Sequence, residues 1–142
     1  MMLSIQLRDL LLPYAPTVLA LGAVALLLLV QLLIADLVGL KKGHRPGAPV
    51  EADHSSFHFR ATRAHANTNE SIAAFVLLVL LGLLSGASPA WLNGLAWTYV
   101  LARAGHMAFY YLGWHLPRSI AFAVSLVALF AMVVVGASAA VV

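Results

Sequence analysis

Residues Arg60–Leu84 read RATRAHANTNESIAAFVLLVLLGLL. The first half carries two arginines, a histidine, two asparagines and a glutamate, and the second half is almost wholly aliphatic. At about 1.5 Å per residue the stretch is long enough to cross a hydrocarbon core of about 30 Å as a helix. A charged side chain at mid-bilayer costs at least about 2.5–3.5 kcal/mol, so such groups turn inward toward partners or a polar cavity. The stretch therefore predicts a membrane helix whose polar half faces other protein or a ligand.

The rest of the chain agrees with a lipid environment. Of 142 residues, 63% are hydrophobic and only 9% are charged, whereas soluble domains average about a quarter charged. A chain this short exposes much of its surface and cannot hide so much apolar area in its own core. The surplus must face lipid. Three further runs reach spanning length, giving a single domain over residues 1–142 with helices at about 14–40, 59–85, 89–113 and 117–141. Long Leu/Ala/Val runs without strict alternation exclude a transmembrane barrel. The fold class is an all-α integral membrane bundle of four transmembrane helices.

Charge placement orients it. The first and third connections fall on one side and hold Lys41, Lys42, Arg45, Arg60 and Arg118, while the other side has Arg8 alone. The positive-inside rule puts the long loop after the first helix in the cytoplasm and both termini outside. The amino-terminal stretch MMLSIQLRDLLLPYAP makes a poor signal peptide, because Asp9 follows Arg8 and no small-residue cleavage site precedes the apolar run. The net charge of +3 is explained by anchoring beside apolar spans, so nucleic acid is not an expected partner. With no cysteine in the chain, a thiol nucleophile, a disulfide and a thiolate metal site are all excluded, and the histidines lack metal-ligand spacing.

Three polar groups remain to be explained. At 100° per residue Arg63, Asn67 and Glu70 share one stripe of the second helix, beside the small residues Ala66, Ala73 and Ala74. These residues either form interhelical salt bridges, Arg63 with Glu70 for instance, or line a site. In LARAGHMAFYYLGWH (Leu101–His115), Arg103, His106 and Tyr110 share a face, and Arg103 lies inside the span, where it needs a counter-charge; Glu70 is the natural candidate. Tyr111 points away and reads as an interfacial aromatic. In LPRSIAF, Pro117 suits a first helical turn, which places Arg118 and Ser119 at the start of the fourth helix. Alone, Arg118 reads as a snorkelling anchor. Asp36, near the end of the first helix, is a lone acid within reach of Arg63, Arg103 or Lys41. Together these groups make a cationic pocket toward the cytoplasmic half, suited to an anionic, peptide-like or phosphate-bearing ligand. A proton relay through Asp36, Glu70, Arg103 and His106 fits less well, since the outer half of every helix is apolar.

RATRAHANTNESIAAF, then RAGHMAFYYLG, then PRS, in that order and across nearly the whole chain, resemble the MAPEG family (membrane-associated proteins in eicosanoid and glutathione metabolism), in a bacterial-type member. The resemblance implies a homotrimer in a bacterial inner membrane, with glutathione as co-substrate bound between subunits near the cytoplasmic face. Lipophilic electrophiles would arrive from the bilayer lipids. It assigns Arg63, Asn67, Glu70, Arg103, His106 and Tyr110 to ligand binding. Arg118, with Ser119 or Tyr110, is assigned to the glutathione sulfur. The implied activity is that of a glutathione-dependent transferase or peroxidase. The chain departs from several glutathione-binding members at Ala66 and near Val38, where they carry basic residues, and this keeps a second expectation open. In it, the protein is a non-catalytic trimer whose polar cluster binds a lipid headgroup or only joins subunits.

Overall fold

The computed structural model describes residues 8–141, so the part of the signal-peptide reading that concerns residues 1–7 lies outside the described residues. After a short 3₁₀ turn at Leu12–Tyr14 come four long helices: α1 Ala15–Lys41, α2 Phe57–Leu84, α3 Pro89–Leu112 and α4 His115–Ala140. These lie within two residues of the expected bounds. Among the described residues three helices, α1 with its preceding turn, α2 and α4, are long and apolar enough to cross a membrane. The chain is an integral membrane protein, and side chains such as Leu26, Leu29, Val127 and Phe130, all more than 60% exposed, supply its lipid-facing surface.

The α3 helix has spanning length but carries its polar residues inward. Asn93 binds Thr17 of α1 through its Oδ1, which accepts from the Thr17 hydroxyl at 2.6 Å, and its Nδ2 donates to Pro13 O at 2.9 Å. Trp97 Nε1 donates to Pro16 O at 2.9 Å, and Tyr99 shares a 2.7 Å hydrogen bond with Ser71 of α2. Every such group that α3 turns toward a neighbour is one fewer left facing lipid.

Turn chemistry sets the topology. At the α3–α4 junction Gly113 adopts a left-handed conformation (φ 75°), and Trp114 N donates back to Phe109 O at 2.9 Å. This glycine-capped ending reverses the chain within two residues. Pro117 then sits in the first turn of α4, where the missing N–H costs nothing. At the opposite end Tyr14 Oη donates to Ala87 O at 2.6 Å, tying the start of α1 to the α2–α3 turn. The long loop and the α3–α4 turn thus share one end of the bundle, as side counting required.

The two ends pack differently. Toward the α2–α3 turn the core is mainly apolar: Val24, Phe75, Val79, Leu92, Ala96 and Met132 are almost entirely buried, with Thr17 a buried hydroxyl held by Asn93. There α2 and α4 approach closely, because a Cβ on Gly136 would come within 2.9 Å of Leu81. Polar burial accumulates toward the loop end, in His58, Thr68, Arg103 and His106.

One buried group stands apart. Gln31 of α1 is fully buried, and neither amide atom has a hydrogen-bond partner. An unsatisfied buried amide costs about 1–3 kcal/mol, and Leu nearly matches its volume. Gln31→Leu is therefore expected to stabilise the protein by about that amount. Thermal unfolding in detergent checks this; an unchanged or lower midpoint would show that the amide is satisfied in the membrane.

Candidate functional site

The site is organised around Arg103. This guanidinium is fully buried, held on α3 against α2. Nη2 donates to Asn67 Oδ1 at 2.8 Å and to Thr68 Oγ1 at 3.1 Å. Thr68 in turn donates to Ala64 O at 3.2 Å, one helical turn back, which leaves its oxygen lone pairs for the arginine. The Nε and Nη1 groups of Arg103 are buried without a partner.

The expected Arg103–Glu70 pair does not form. Glu70 is exposed at the side chain (59%) and lies 3.9 Å from Arg63, the single ion pair among the described residues. Asp36 accordingly pairs with none of its candidates. The carboxylate of Glu70 reaches Arg103 only through Asn67, whose Nδ2 contacts Glu70 Oε2 at 3.5 Å while its Oδ1 serves the arginine. The reason is geometric: Arg103 enters on the side of α2 that Asn67 and Thr68 present, and Glu70 is turned off it. Leaving the acid half-hydrated avoids the desolvation penalty that a buried ion pair would incur.

Toward the loop end Arg103 is followed by His106 and Tyr110, one and two helical turns on. His106 is buried edge-on to Tyr110, with ring centroids 5.2 Å apart, and tilted against Phe122 of α4 at 6.2 Å. Arg118 of α4 places its guanidinium carbon 4.3 Å from the Tyr110 ring centroid, a cation–π contact. The Ser119 hydroxyl is exposed and donates to His115 O at 3.1 Å. Asn67, His106, Tyr110, Arg118, Ser119 and Phe122 line one open hollow of about 220 Å³. Of the residues singled out in the sequence it unites Asn67, His106, Tyr110, Arg118 and Ser119. Arg63, Glu70 and Arg103 do not line it, the first two because they stand on the outer surface of α2 and Arg103 because it lies beneath.

Several neighbours escaped the sequence. Thr68 and Ser71, both hydroxyl partners of α3, look like ordinary helical polar residues; the i, i+4 relation of Ser71 to Asn67 was the available signal. Phe122 of α4, in an unbroken apolar run, gave no sequence signal of its place in the hollow. Arg60, counted in the sequence among the loop-side cations, donates from Nη1 to the main-chain oxygens of His54 and Ser55, both at 2.8 Å. Tyr111, expected as an interfacial aromatic, packs its ring 5.3 Å from Phe57 and buries its hydroxyl. In the loop, Ser55 donates to Asp53 from its hydroxyl (2.6 Å) and its N–H (2.8 Å), and these bonds, the hydroxyl foremost, hold the exposed Asp53 carboxyl below its ordinary pKa. A depressed acid stabilises its turn at neutral pH and releases it as pH falls through the lowered value.

On the other flank of the α3–α4 seam runs an apolar groove of about 560 Å³, with Ala102, Gly105 and Ala121 among its lining and Phe109 and Pro117 toward its loop end. Gly105 precedes His106 and Pro117 precedes Arg118, so the groove and the polar hollow are two sides of the same pair of segments.

Asn67 of α2, His106 and Tyr110 of α3, and Arg118 and Ser119 at the start of α4 thus meet at one hollow. The family model for the MAPEG family matches residues 17–138, nearly the whole chain. The chain belongs to the MAPEG family. No individually curated protein matches it significantly. In this MAPEG chain the matched region includes all four helices but for their outermost residues, and every residue of the polar hollow.

The hydrogen-bond geometry fixes which partnership carries Arg103. A double-mutant cycle of Arg103→Met with Asn67→Ala is expected to show a coupling of about 1.5–3 kcal/mol, as for a hydrogen bond to a charged group. The parallel cycle with Glu70→Ala should stay within about 0.5 kcal/mol of additivity. Unfolding in mixed micelles measures both; stronger coupling to Glu70 would restore the direct pair.

Proposed function

We propose that this MAPEG protein is a membrane-embedded glutathione-dependent transferase or peroxidase that acts on lipophilic electrophiles. It works as a homotrimer of four-span subunits, with the site facing the cytoplasm of a bacterial inner membrane. The observation that carries the reading is the Tyr110–Arg118 contact at the wall of a polar hollow that no carboxylate lines. A cationic recess in a low-dielectric wall favours an anionic ligand. Asn67, with Arg103 beneath it, supplies further polarity to that recess.

Arg118 would act on the sulfur. A free thiol has a pKa near 8.5, and an adjacent guanidinium favours the thiolate. The proton passes to solvent, and the thiolate attacks the electrophilic carbon of a substrate such as an aryl halide, expelling halide. The Tyr110 hydroxyl, which makes no hydrogen bond among the described residues, is free to donate to the sulfur; Ser119 would first have to leave His115 O. The apolar groove along Ala102, Gly105 and Ala121 offers the lipophilic partner a path from the bilayer beside the same segments.

The trimer has its own support. At about 220 Å³ the hollow falls short of the roughly 300–1,000 Å³ usual for small-ligand sites. Arg63 and Glu70, half-exposed on α2, are left for a neighbouring subunit to cover. The same small hollow, together with Ala66 and Val38, favours as second reading a non-catalytic trimer that holds a lipid headgroup or only its own subunits.

Native mass spectrometry of gently purified protein should give a trimer that carries the mass of glutathione when glutathione is supplied. Wild type should also show thiolate absorbance below the free-thiol pKa. Arg118→Ala should move that absorbance upward in pH toward about 8.5 and lower turnover roughly 10²-fold. Glutathione affinity should change far less, because the lost interaction is strongest with developing negative charge. Absence of both binding and thiolate in wild type would transfer the conclusion to the non-catalytic trimer.

A further inference from the structure

Arg60 lies outside the hollow, yet its contacts lead to it. Its Nη1 bridges the carbonyl oxygens of His54 and Ser55, both at 2.8 Å, and its guanidinium carbon stands 5.7 Å from the Phe57 ring centroid. Each contact continues into the end of α3. The His54 imidazole lies nearly parallel to the Tyr110 ring (centroids 6.5 Å, planes 21° apart) and edge-on to His115 of α4 at 5.8 Å. Phe57 meets Tyr111 edge-on at 5.3 Å. The strap is tied elsewhere as well: Ser55 closes onto Asp53, Lys42 Nζ donates to Ser56 Oγ at 2.8 Å, and His54 packs edge-on against Phe59 at 5.0 Å.

We infer that Arg60 is a positioning residue for Tyr110. By pinning the His54–Ser55 strap it holds the His54 imidazole against the Tyr110 ring, and so fixes the ring on which the Arg118 guanidinium rests. Three groups then bound Tyr110: His54 from the loop, His106 from the preceding turn of its own helix, and Arg118 from α4. Only His54 belongs to a segment without helical hydrogen bonds to hold it, and Arg60 supplies the substitute. A planar guanidinium suits the task, since one face lies toward Phe57 while an edge N–H serves two carbonyl oxygens. Both bonds go to the main chain, so any side chain at 54 or 55 keeps them, and this tie depends on the arginine.

The inference rests on the glutathione reading only for its kinetic arm, and the test has an arm that needs no ligand. A fluorinated tyrosine in place of Tyr110 reports the ring by fluorine NMR in micelles. With Arg60 present, one narrow resonance is expected. Arg60→Ala should broaden or split it, His54→Ala should do the same, and Arg60→Lys, which retains a cationic donor, should largely restore the single line. Arg63→Ala, one turn further along α2, should leave the line unchanged. In the kinetic arm Arg60→Ala should lower kcat for glutathione conjugation about tenfold, the cost of a misplaced catalytic group, with KM held within about twofold.

An unchanged Tyr110 line in folded Arg60→Ala and His54→Ala protein overturns the inference. If Arg60→Ala fails to fold, His54→Ala decides alone, because it leaves both Arg60 bonds in place. A Tyr110 line that responds to Arg60 in a protein that binds no glutathione would sink the functional reading and leave the positioning role standing. Normal conjugation with a Tyr110 line indifferent to Arg60 would do the opposite.

Discussion

A guanidinium that lies fully buried among membrane helices must be solvated by protein or not at all, and Arg103 meets that demand with dipoles rather than an opposing charge. The Asn67 amide and the Thr68 hydroxyl reach it from the facing side of α2. That choice fixes the rotation of α2 against α3, since a turn of either helix by one residue would leave the cation bare. The same rotation brings the Tyr99 ring against Phe75, stacked at 4.4 Å, with its hydroxyl on Ser71. It also aims His106 and Tyr110 at the start of α4. Burial of one charge thereby sets the geometry of the hollow above it.

The division of the bundle follows from the same constraint. Close approach of α2 and α4 at Gly136 and a mainly apolar core hold the end nearer the termini. The loop end can then afford buried polar groups and an open hollow. Rigid apolar packing below and polar side chains above is the arrangement expected when a site is mounted on a scaffold stable enough to carry it.

Much of this was legible in the residues, and what was not has physical causes. Helical period alone placed Arg63, Asn67 and Glu70 on one stripe and Arg103, His106 and Tyr110 on another, because i, i+3 and i, i+4 neighbours must share a face. Pro117 announced the helix start that delivers Arg118 to Tyr110. Which member of one stripe meets which member of the other depends on interhelical rotation, and charge complementarity pointed to Glu70 where an amide and a hydroxyl prevailed. Desolvation, which sequence spacing does not display, tipped that balance. The task of Arg60 was hidden for another reason. It depends on the conformation of the polar loop, where carbonyl direction follows from turns such as Asp53–Ser55 and not from any periodic pattern.

The polarity of α3 bears on what its short connections must do. Helices α1 (with its preceding turn), α2 and α4 are long and apolar enough to cross a membrane. Asn93 of α3 meets Thr17 of α1, and its Arg103 meets Asn67 and Thr68 of α2, so these polar groups are served by neighbouring helices. Four residues separate it from α2 and two from α4. Links so short tie the placing of α3 to that of α2 and α4, and the turns that set its position also hold Arg103 against the groups that solvate it. The connectivity of the chain and the solvation of its buried cation are in that sense one constraint.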